Sequence, residues 1–344
     1  MQPFRFGRRG NASGSSQEMD DASAWAHLSR RLASTLSIIA VLSVAFVVGG
    51  WFGRSHFALD LASHFRVQAV ASTLACGLVL LALRRFRRGM LALAASVLIA
   101  TSLWPYLPAT RSKSASAGQT RLLLANVRSS NKQYHLLLDE IASFEPEIIV
   151  LLEVNGRWAE VMSSGLPSSY RHQTVQPRED NFGIAIYSRL EWLTCTVTHL
   201  GGKDFPPSLE AVFSDDGATQ QRLIAMHPVP PIGRQNWQHR NSAMSAAARR
   251  VASQPPDRTI LIGDLNCTPW SPQFQSLVED SGLRDSAIGN GIHPTWYPFA
   301  ATLGGLLGLP IDHALVGNDV VVRQRHVGPA IGSDHRPLIL DFIW

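Results

Sequence analysis

Three long apolar stretches open the chain, and shorter apolar runs with strand and helix periodicity follow them. The stretches cover residues 32–52, 67–83 and 89–107. At about 1.5 Å per residue, the first is long enough to cross a hydrocarbon core of about 30 Å. The alternative for it is a cleaved signal peptide, but two further stretches follow. The pattern therefore predicts a three-helix transmembrane region over 32–107.

Polar segments divide the rest of the chain. Residues 1–31 are expected to form a cytoplasmic N-terminal tail, disordered over the Gly-, Ser- and Asn-rich residues 10–24. Residues 108–119 are expected to form a linker. A single domain is expected over residues 120–344.

Basic residues flank the apolar stretches unevenly. Five arginines precede the first stretch, and four more, Arg84, Arg85, Arg87 and Arg88, lie between the second and the third. The positive-inside rule places both groups in the cytoplasm. Three crossings would then put residues 120–344 on the other side of an inner or plasma membrane, in the periplasm if the cell is Gram-negative. The expected protein is multi-pass, with an extracytoplasmic C-terminal domain and no evident obligate protein partner.

The C-terminal part alternates between the two regular periodicities. Strand-like runs cover residues 121–127, 147–152, 182–187, 222–227, 258–263, 313–316, 320–323 and 338–342. Helical periodicity covers residues 131–143 and 237–252. Strands that end in polar residues, with helices between some of them, predict a layered α/β domain whose site collects at the strand ends.

Charge changes this picture mainly through its distribution. The chain has 31 Lys and Arg, of which 12 lie in residues 1–111, and 26 Asp and Glu, of which 4 lie there. The remainder therefore has 19 basic and 22 acidic residues. The C-terminal part therefore has no general attraction for a phosphate backbone. The sequence leaves open whether Arg234, Arg240, Arg249 and Arg250 form a local basic groove.

Cysteine usage points to packing rather than to metal binding. The three cysteines, Cys76, Cys195 and Cys267, lack metal-site spacing and are interpreted as small apolar fillers. A disulfide between Cys195 and Cys267 stays open.

Polar residues with metal-binding or acid–base chemistry follow the buried runs one after another. They are Asn126, Glu153, His227, the Asp264-x-Asn266 pair, Asp312, and His335 in the run Gly332-Ser333-Asp334-His335-Arg336-Pro337. An Asp and an Asn two residues apart at a strand end can face one site, where they orient a water or hold a hard cation. The pattern predicts a hydrolase site.

Taken in this order, the motifs resemble the endonuclease/exonuclease/phosphatase superfamily, over about residues 120–344. The superfamily includes pancreatic-type deoxyribonucleases, abasic-site endonucleases, neutral sphingomyelinases and inositol polyphosphate 5-phosphatases. The Gly263–Ser271 and Pro310–His313 runs look like a bacterial membrane-anchored branch. The resemblance implies a four-layer α/β sandwich of the DNase I type, with two sheets face to face and helices outside.

The resemblance also implies roles. Glu153 would be the main ligand of Mg²⁺, for which Mn²⁺ is a possible substitute, with Asn126 beside it. Asp264 would orient or deprotonate the attacking water, supported by Asn266. His335 would contact the phosphoryl oxygens and Asp312 would hydrogen-bond it. His227 would be the second catalytic histidine.

Four further residues are weaker candidates for substrate contact. Arg178 and Asn181 precede a strand, Trp296 is as consistent with a core position, and Asp334 is as consistent with a structural loop residue.

The expected activity is Mg²⁺-dependent hydrolysis of a phosphoester, by in-line attack of water on phosphorus. The expected partners are the bilayer and a phosphoester substrate. A nucleic acid suits His227, whereas a phospholipid or other membrane-bound phosphoester suits the tether and the acidic domain. The apolar 302–310 segment either touches the bilayer or caps the core. An inactive membrane-tethered scaffold of the same fold is the hypothesis from another class.

Overall fold

A computed structural model describes residues 12–109, 118–214, 220–298 and 307–344, with the side chains of the first helix from residue 23 onward. Most of the expected linker and residues 302–306 of the apolar 302–310 segment lie outside the described residues. The chain divides into two compact units, Met1–Ala45 with Ala69–Ala100 and Phe46–Gln68 with Thr101–Trp344. Residues 46–68, which lie between the first two apolar stretches, thus pack with the C-terminal part.

The helices and strands alternate along the C-terminal part as the periodicity predicts. The described helices are α1 (Ala12–Trp51), α2 (Phe57–Ser63), α3 (Arg66–Ala82), α4 (Phe86–Thr101), α5 (Tyr134–Phe144), α6 (Gly156–Gly165), α7 (Gly233–Ala252) and α8 (Pro272–Ser281). The described strands are β1 (Thr120–Asn126), β2 (Ile148–Leu152), β3 (His172–Gln176), β4 (Ile184–Ser188), β5 (Thr194–Thr198), β6 (Ser208–Ser214), β7 (Gln220–Ala225), β8 (Thr259–Asp264), β9 (Arg284–Asp285), β10 (Asp312–Val316), β11 (Val321–Val327) and β12 (Leu338–Ile343).

The first unit contains most of α1, together with α3 and most of α4. Small side chains form its packed centre, where Ala40, Cys76 and Ala92 meet. Small residues let apolar helices approach closely, which is typical of helices in a membrane. Large apolar side chains remain on the outside, for example Leu91 on α4, which is 72% exposed.

The expectation of three membrane spans is corrected by the helix lengths. Among the described residues, one helical stretch, Ser23–Trp51, is long and apolar enough to cross a bilayer. Helices α2 and α3 pass the same test only jointly, and they are bent by 64° at the break between them. Helix α4 has 16 residues, or about 24 Å, which is short of the hydrocarbon thickness.

The expected disorder is also corrected over residues 12–24, because α1 begins at Ala12; residues 10 and 11 lie outside the described residues. Extending a helix that already exists requires no new nucleus, so a Gly- and Ser-containing segment can continue a long apolar helix.

Two six-stranded sheets form the frame of the second unit in its described part. Their strand orders are β11-β12-β1-β2-β4-β3 and β5-β6-β7-β8-β10-β9. Strands β1 and β2 are parallel, as are β7 and β8. Strand β12 pairs antiparallel with β1, and β10 pairs antiparallel with β8. The two central pairs therefore have the same construction.

Alternation along the strands explains the layers. Leu122 and Leu124 of β1 enter the core between the sheets, whereas Leu123 and Ala125 enter a second core shared with α5 and α6. A period of two sends neighbouring side chains to opposite faces, so a strand buried on both faces reads as a continuous apolar run. A third core joins the outer face of the other sheet to α7 and α8. The unit is a mixed α/β sandwich of two sheets with helices outside, as predicted.

The periodicity missed four strands, β3, β5, β6 and β9. Of these, β6 has seven residues and lies inside its sheet, between β5 and β7. Strands β3 and β5 are edge strands without fully buried residues, and β9 has two residues. An edge strand exposed on one face has too few buried positions for an apolar pattern.

Candidate active site

Strand register brings the predicted site residues of the first sheet together. Asn126, the last residue of β1, pairs with Leu152, the last residue of β2, so Asn126 and Glu153 end adjacent parallel strands. Leu338, which opens β12, pairs with Leu124 of β1. His335, just before β12, therefore comes to the same edge.

The second sheet presents its polar residues in the same way. Ala225 of β7 pairs with Ile262 of β8, which places His227 and Asp264 just beyond the same strand ends. Asp312, the first residue of β10, pairs directly with Asp264. The carboxyl ends of the central parallel pairs of both sheets thus meet at one site.

A side-chain network joins the two sheets across this edge. The Asn126 Nδ2 group donates to Glu153 Oε1 at 2.9 Å and to Asp264 Oδ2 at 3.2 Å. Asn126 is almost wholly buried and Glu153 half-buried. The network connects residues that are 27 and 138 positions apart in sequence, and only the sandwich brings them together.

Two histidines approach the same oxygen of Asp264. His227 Nε2 lies 3.5 Å and His335 Nε2 lies 3.6 Å from Asp264 Oδ2. His335 Nδ1 donates to Asp312 Oδ2 at 2.8 Å. Both nitrogens of His335 therefore face carboxylates, an arrangement that favours its charged form. All four of these side chains are buried.

Electrostatics follow from this geometry. Burial alone lowers the pKa of His335, but Asp312 and Asp264 outweigh it and raise that pKa to about 10. Burial raises the pKa of Asp264, but His335 and His227 reverse the effect and lower it to about 2. At neutral pH the centre thus holds an ionised Asp264 against a protonated His335.

Asn266 supports the loops around the site through its backbone and its side chain. Its N–H donates to Asp264 Oδ1 at 2.9 Å, a local turn that Asp favours. Its Nδ2 group donates to the Pro228 carbonyl at 3.0 Å, next to His227. Asn266 therefore ties the Asp264 loop to the His227 loop.

Backbone conformation is unusual at three of the predicted positions. Glu153, Asn181 and Asn266 have φ of 61°, 67° and 51°. Non-glycine residues in the left-handed region are uncommon, and they cluster at sites where the surrounding structure holds them.

The four weaker candidates separate into two groups. Trp296, Asp334 and Asn181 line the same cleft as His335 and Asp264. Trp296 Nε1 donates to Asp334 Oδ2 at 3.2 Å, so these two form a rim together. Arg178 instead donates from Nε to Asp180 at 2.9 Å and does not line this cleft.

The cleft has a volume of about 540 Å³. Its lining combines Glu153, His227, Asp264 and His335 with a set of apolar side chains. These are Phe57, Leu61, Phe182, Pro230, Pro231, Ile232, Trp296, Leu309 and Ile311. A polar centre within an apolar cleft is the usual form of a small-molecule site.

Comparison with known proteins agrees with this geometry. Residues 123–335 match the model of the Endonuclease/Exonuclease/phosphatase family. The chain belongs to that family. The match begins within β1 and ends at His335, so it includes every strand end described above. The sequence has no match among curated proteins.

Solved structures of the family share the fold. An endonuclease/exonuclease/phosphatase structure from Beutenbergia cavernae is 19% identical, with a TM-score of 0.52, 65% of this chain covered and 71% of the other. The catalytic domain of human Nocturnin, with a bound sulfate anion, is 15% identical, with a TM-score of 0.52 and coverage of 67% and 96%. D. rerio TDP2, complexed with single strand DNA product, is 14% identical, with a TM-score of 0.50 and coverage of 66% and 99%.

Two groups of side chains are candidates for the divalent cation that family enzymes usually use. Asp264, Asp312 and His335 offer ligand atoms within 4.8 Å of one another. This group includes an imidazole, which suits Mg²⁺ less well than oxygen ligands do. Glu153 provides a carboxylate oxygen, whereas Asn126 directs Nδ2 toward Glu153 and its Oδ1 accepts from the Arg128 N–H at 3.1 Å. Glu153, with Asn126 beside it, is the better fit for a hard cation.

The sequence did not indicate two further parts of the site. Phe57, Leu61 and His64, from α2 and the residue that follows it, line the cleft. Beneath them, Asp60 pairs with Arg240 of α7, and both are essentially inaccessible. A lone acidic residue between two apolar stretches was the only available signal, because the pairing spans 180 positions.

Two of the four arginines that a local basic groove would use have partners within the fold. Arg240 is fully buried and pairs with Asp60, so it is not available to a phosphate backbone. Arg250 donates from Nε to Glu210 at 2.8 Å, and Glu210 also pairs with Arg222. The three cysteines are free, which leaves the proposed Cys195–Cys267 bond unformed.

Proposed function

We propose that this protein is a membrane-attached, Mg²⁺-dependent phosphoester hydrolase that acts outside the cytoplasm. One observation carries the proposal: His227 Nε2 and His335 Nε2 both lie within 3.6 Å of Asp264 Oδ2, in the cleft that Glu153 also lines. The family is generally hydrolytic toward phosphoesters, and the cleft contains acceptors for water and donors for a phosphoryl group.

Asp264 is assigned to the attacking water. An ionised carboxylate accepts a hydrogen bond from water and directs its lone pair at phosphorus. The low pKa of Asp264, about 2, makes it a weak base. Its main contribution is therefore orientation of the water. The water's proton passes to Asp264 as the new bond to phosphorus forms and the bond to the leaving ester oxygen breaks.

His335 and His227 are assigned to the phosphoryl oxygens. The protonated His335, fixed by Asp312, can donate from Nε2 to an oxygen that gains negative charge in the transition state. His227 approaches from the second sheet and supplies another donor. Asn266 positions this pair by holding the Pro228 carbonyl. In-line displacement at phosphorus depends mainly on such positioning and charge stabilisation.

Glu153 and Asn126 are assigned to Mg²⁺, with Mn²⁺ as a possible substitute. Bound there, the cation would polarise a phosphoryl oxygen as a Lewis acid. Asn126 also donates to Asp264, so it connects the proposed cation site with the residue that orients the water.

Membrane attachment is proposed from the apolar surface of the first unit. Ile38, Val41 and Leu42 on α1 are each more than half exposed, and an apolar surface of this kind marks contact with lipid. Arg30 and the Arg84–Arg88 turn border one basic pocket at one end of that unit. By the positive-inside rule this end is cytoplasmic, which places Trp51, at the far end of α1, outside.

An inactive scaffold is the less favoured alternative. A protein that had lost catalysis would be free to lose Glu153, Asp264 or His335, whereas all three lie together in the cleft. Nuclease activity is a second candidate, because TDP2 is complexed with its DNA product, but Arg240 is buried against Asp60 and Arg250 shares Glu210 with Arg222.

The test uses the full chain in detergent, with bis(p-nitrophenyl) phosphate as the substrate. We expect hydrolysis with Mg²⁺, none with EDTA, and a kcat lower by about 10²- to 10⁴-fold in Asp264→Asn. Glu160→Gln is the matched control, because Glu160 is an exposed carboxylate on α6. Hydrolysis that survives EDTA, or a fully active Asp264→Asn, would refute the proposal.

A further inference from the structure

We infer that α2 forms an apolar wall of the active site that seats the aliphatic chain of an amphiphilic phosphoester, with Phe57 and Leu61 as specificity-determining residues. This inference rests on the proposed function, because it names the substrate class of the same cleft. It concerns residues 46–68, which belong to the compact unit of the site although they lie between two apolar helices.

The position of α2 provides the first argument. Phe57 and Leu61 are four positions apart, so they lie on one face of the helix. Both line the cleft that contains Asp264 and His335. Leu61 is 48% exposed, and Ile232, which lines the same cleft, is 81% exposed. The wall thus presents apolar area that an aliphatic chain can cover, with a gain of about 25 cal/mol per Å².

The anchoring of α2 provides the second argument. Asp60 pairs with Arg240, whose Nη1 donates to the Asn266 carbonyl at 3.1 Å. Ser271 Oγ donates to the other oxygen of Asp60 at 2.9 Å. These bonds attach the wall to the loop that follows Asp264. Phe57 and Leu61 are therefore fixed relative to the site rather than carried on a separate membrane loop.

His64 adds a polar contact at the base of the wall. Its Nδ1 accepts from the Thr268 N–H at 3.3 Å, so a neutral His64 carries its proton on Nε2. His64 is 3% exposed, and its Nε2 has no hydrogen-bond partner in the described part of the chain. His64 thus ties the end of α2 to Thr268, on the loop that follows Asp264.

Chain connectivity selects the occupant. Helix α2 begins six residues after Trp51, where the apolar α1 ends, and α3 begins three residues after α2. The wall is thus joined on both sides to apolar helices, where lipid-borne substrates are concentrated. An amphiphile with an aliphatic chain matches the apolar lining. A nucleic acid would need accessible cations beside the site, whereas Arg240 is buried in its pair with Asp60 and the described lining of the cleft contains no Lys or Arg.

The experiment compares homologous alkyl p-nitrophenyl phosphates (methyl, hexyl and dodecyl) with the full chain in one detergent. We expect kcat/KM to rise by up to about fourfold for each methylene that contacts the wall, from about 0.8 kcal/mol per buried methylene. Leu61→Gln and Phe57→Ala should each lower the dodecyl-to-methyl ratio of kcat/KM by tenfold or more. Leu193→Gln, an equally exposed leucine outside the cleft (58%), should leave the ratio unchanged.

Partition of the esters into detergent affects every variant alike, so the ratio between variants isolates the wall. Cleavage of all three esters without chain dependence, or an unchanged ratio in Leu61→Gln, would overturn the inference and leave the hydrolase intact. Faster cleavage of a single-stranded oligonucleotide than of the dodecyl ester would also overturn it. No Mg²⁺-dependent cleavage of any ester would remove the proposed function together with the inference.

Discussion

Removal of the Asp60 carboxylate should destabilise the catalytic unit far more than removal of a surface acid. Asp60 and Arg240 are 1% and 0% exposed at their side chains. In Asp60→Ala, the Arg240 guanidinium keeps Asn241 Oδ1 at 2.8 Å and the Asn266 carbonyl at 3.1 Å, but it has no counter-charge. Breaking a buried pair by removing one partner costs about 3–5 kcal/mol.

A loss of this size should appear as a large change in melting temperature. For a unit of this size, 1 kcal/mol corresponds to about 2–4 °C, so Asp60→Ala should lower Tm by about 6–20 °C. The assay is thermal unfolding of the full chain in detergent, followed by near-ultraviolet circular dichroism. This signal reports the packed aromatic side chains of the sandwich.

Two comparisons make the result interpretable. Glu160→Ala removes an exposed acid paired with Arg157 on α6 and should leave Tm unchanged. The double variant Asp60→Leu with Arg240→Met replaces the pair by apolar groups and should recover most of the loss. If Asp60→Ala melted within about 2 °C of the unmodified chain, α2 would not be an integral part of the unit.

Four further outcomes are expected. His335→Gln should be less stable than the unmodified chain below pH 6.5, and the difference in stability should disappear as the pH rises toward 10. The reason is that folding raises the pKa of His335 to about 10, so its charged form stabilises the fold only below that pH. Urea unfolding over this pH range measures the difference, and a difference that stays constant would contradict the prediction. Glu153→Gln should abolish the gain in Tm on adding Mg²⁺, which for the unmodified chain at about 100 times Kd corresponds to about 2.7 kcal/mol; an equal gain in both would reject Glu153 as a ligand. Gly263→Ala should destabilise by about 2 kcal/mol or more, because its Cβ would lie 1.8 Å from the Met226 carbonyl oxygen; an unchanged Tm would refute this. A chain that begins at Thr101 lacks Asp60 and should melt well below the full chain, and equal melting temperatures would show that residues 46–68 are dispensable.

Much of the sandwich was accessible from periodicity because its central strands are buried on both faces. The runs that became β1, β2 and β8 are continuously apolar, and each leads directly to a polar site residue. Edge strands such as β5 expose one face, so their pattern was too weak to detect. The second and third membrane spans failed for a different reason. Apolar composition does not specify where a helix ends, and α3 and α4 have only 17 and 16 residues.

The candidate site was likewise predictable from the sequence only in part. Glu153, Asp264 and His335 were predictable because a polar residue at the end of a buried strand has few purely structural explanations. The arrangement of Asp312 under His335 was implied by family resemblance, and the contact at 2.8 Å is consistent with it. Arg178 was a plausible candidate by position alone, but its side chain pairs locally with Asp180.

The sequence by itself determined the central strands, the helices α5 and α7, the family and the residues that end the central strands, because these depend on local periodicity and on residue types at strand ends. Only the tertiary structure decided which residues complete the cleft. Asp60 meets Arg240 across 180 positions, and Phe57 and Leu61 join a site whose other members begin at Asn126. Such contacts depend on how separate segments pack. The sequence alone does not indicate that a charged residue is buried unless its partner is known. The segment between two apolar helices thus reads locally as a loop, whereas its packing makes it part of the active site.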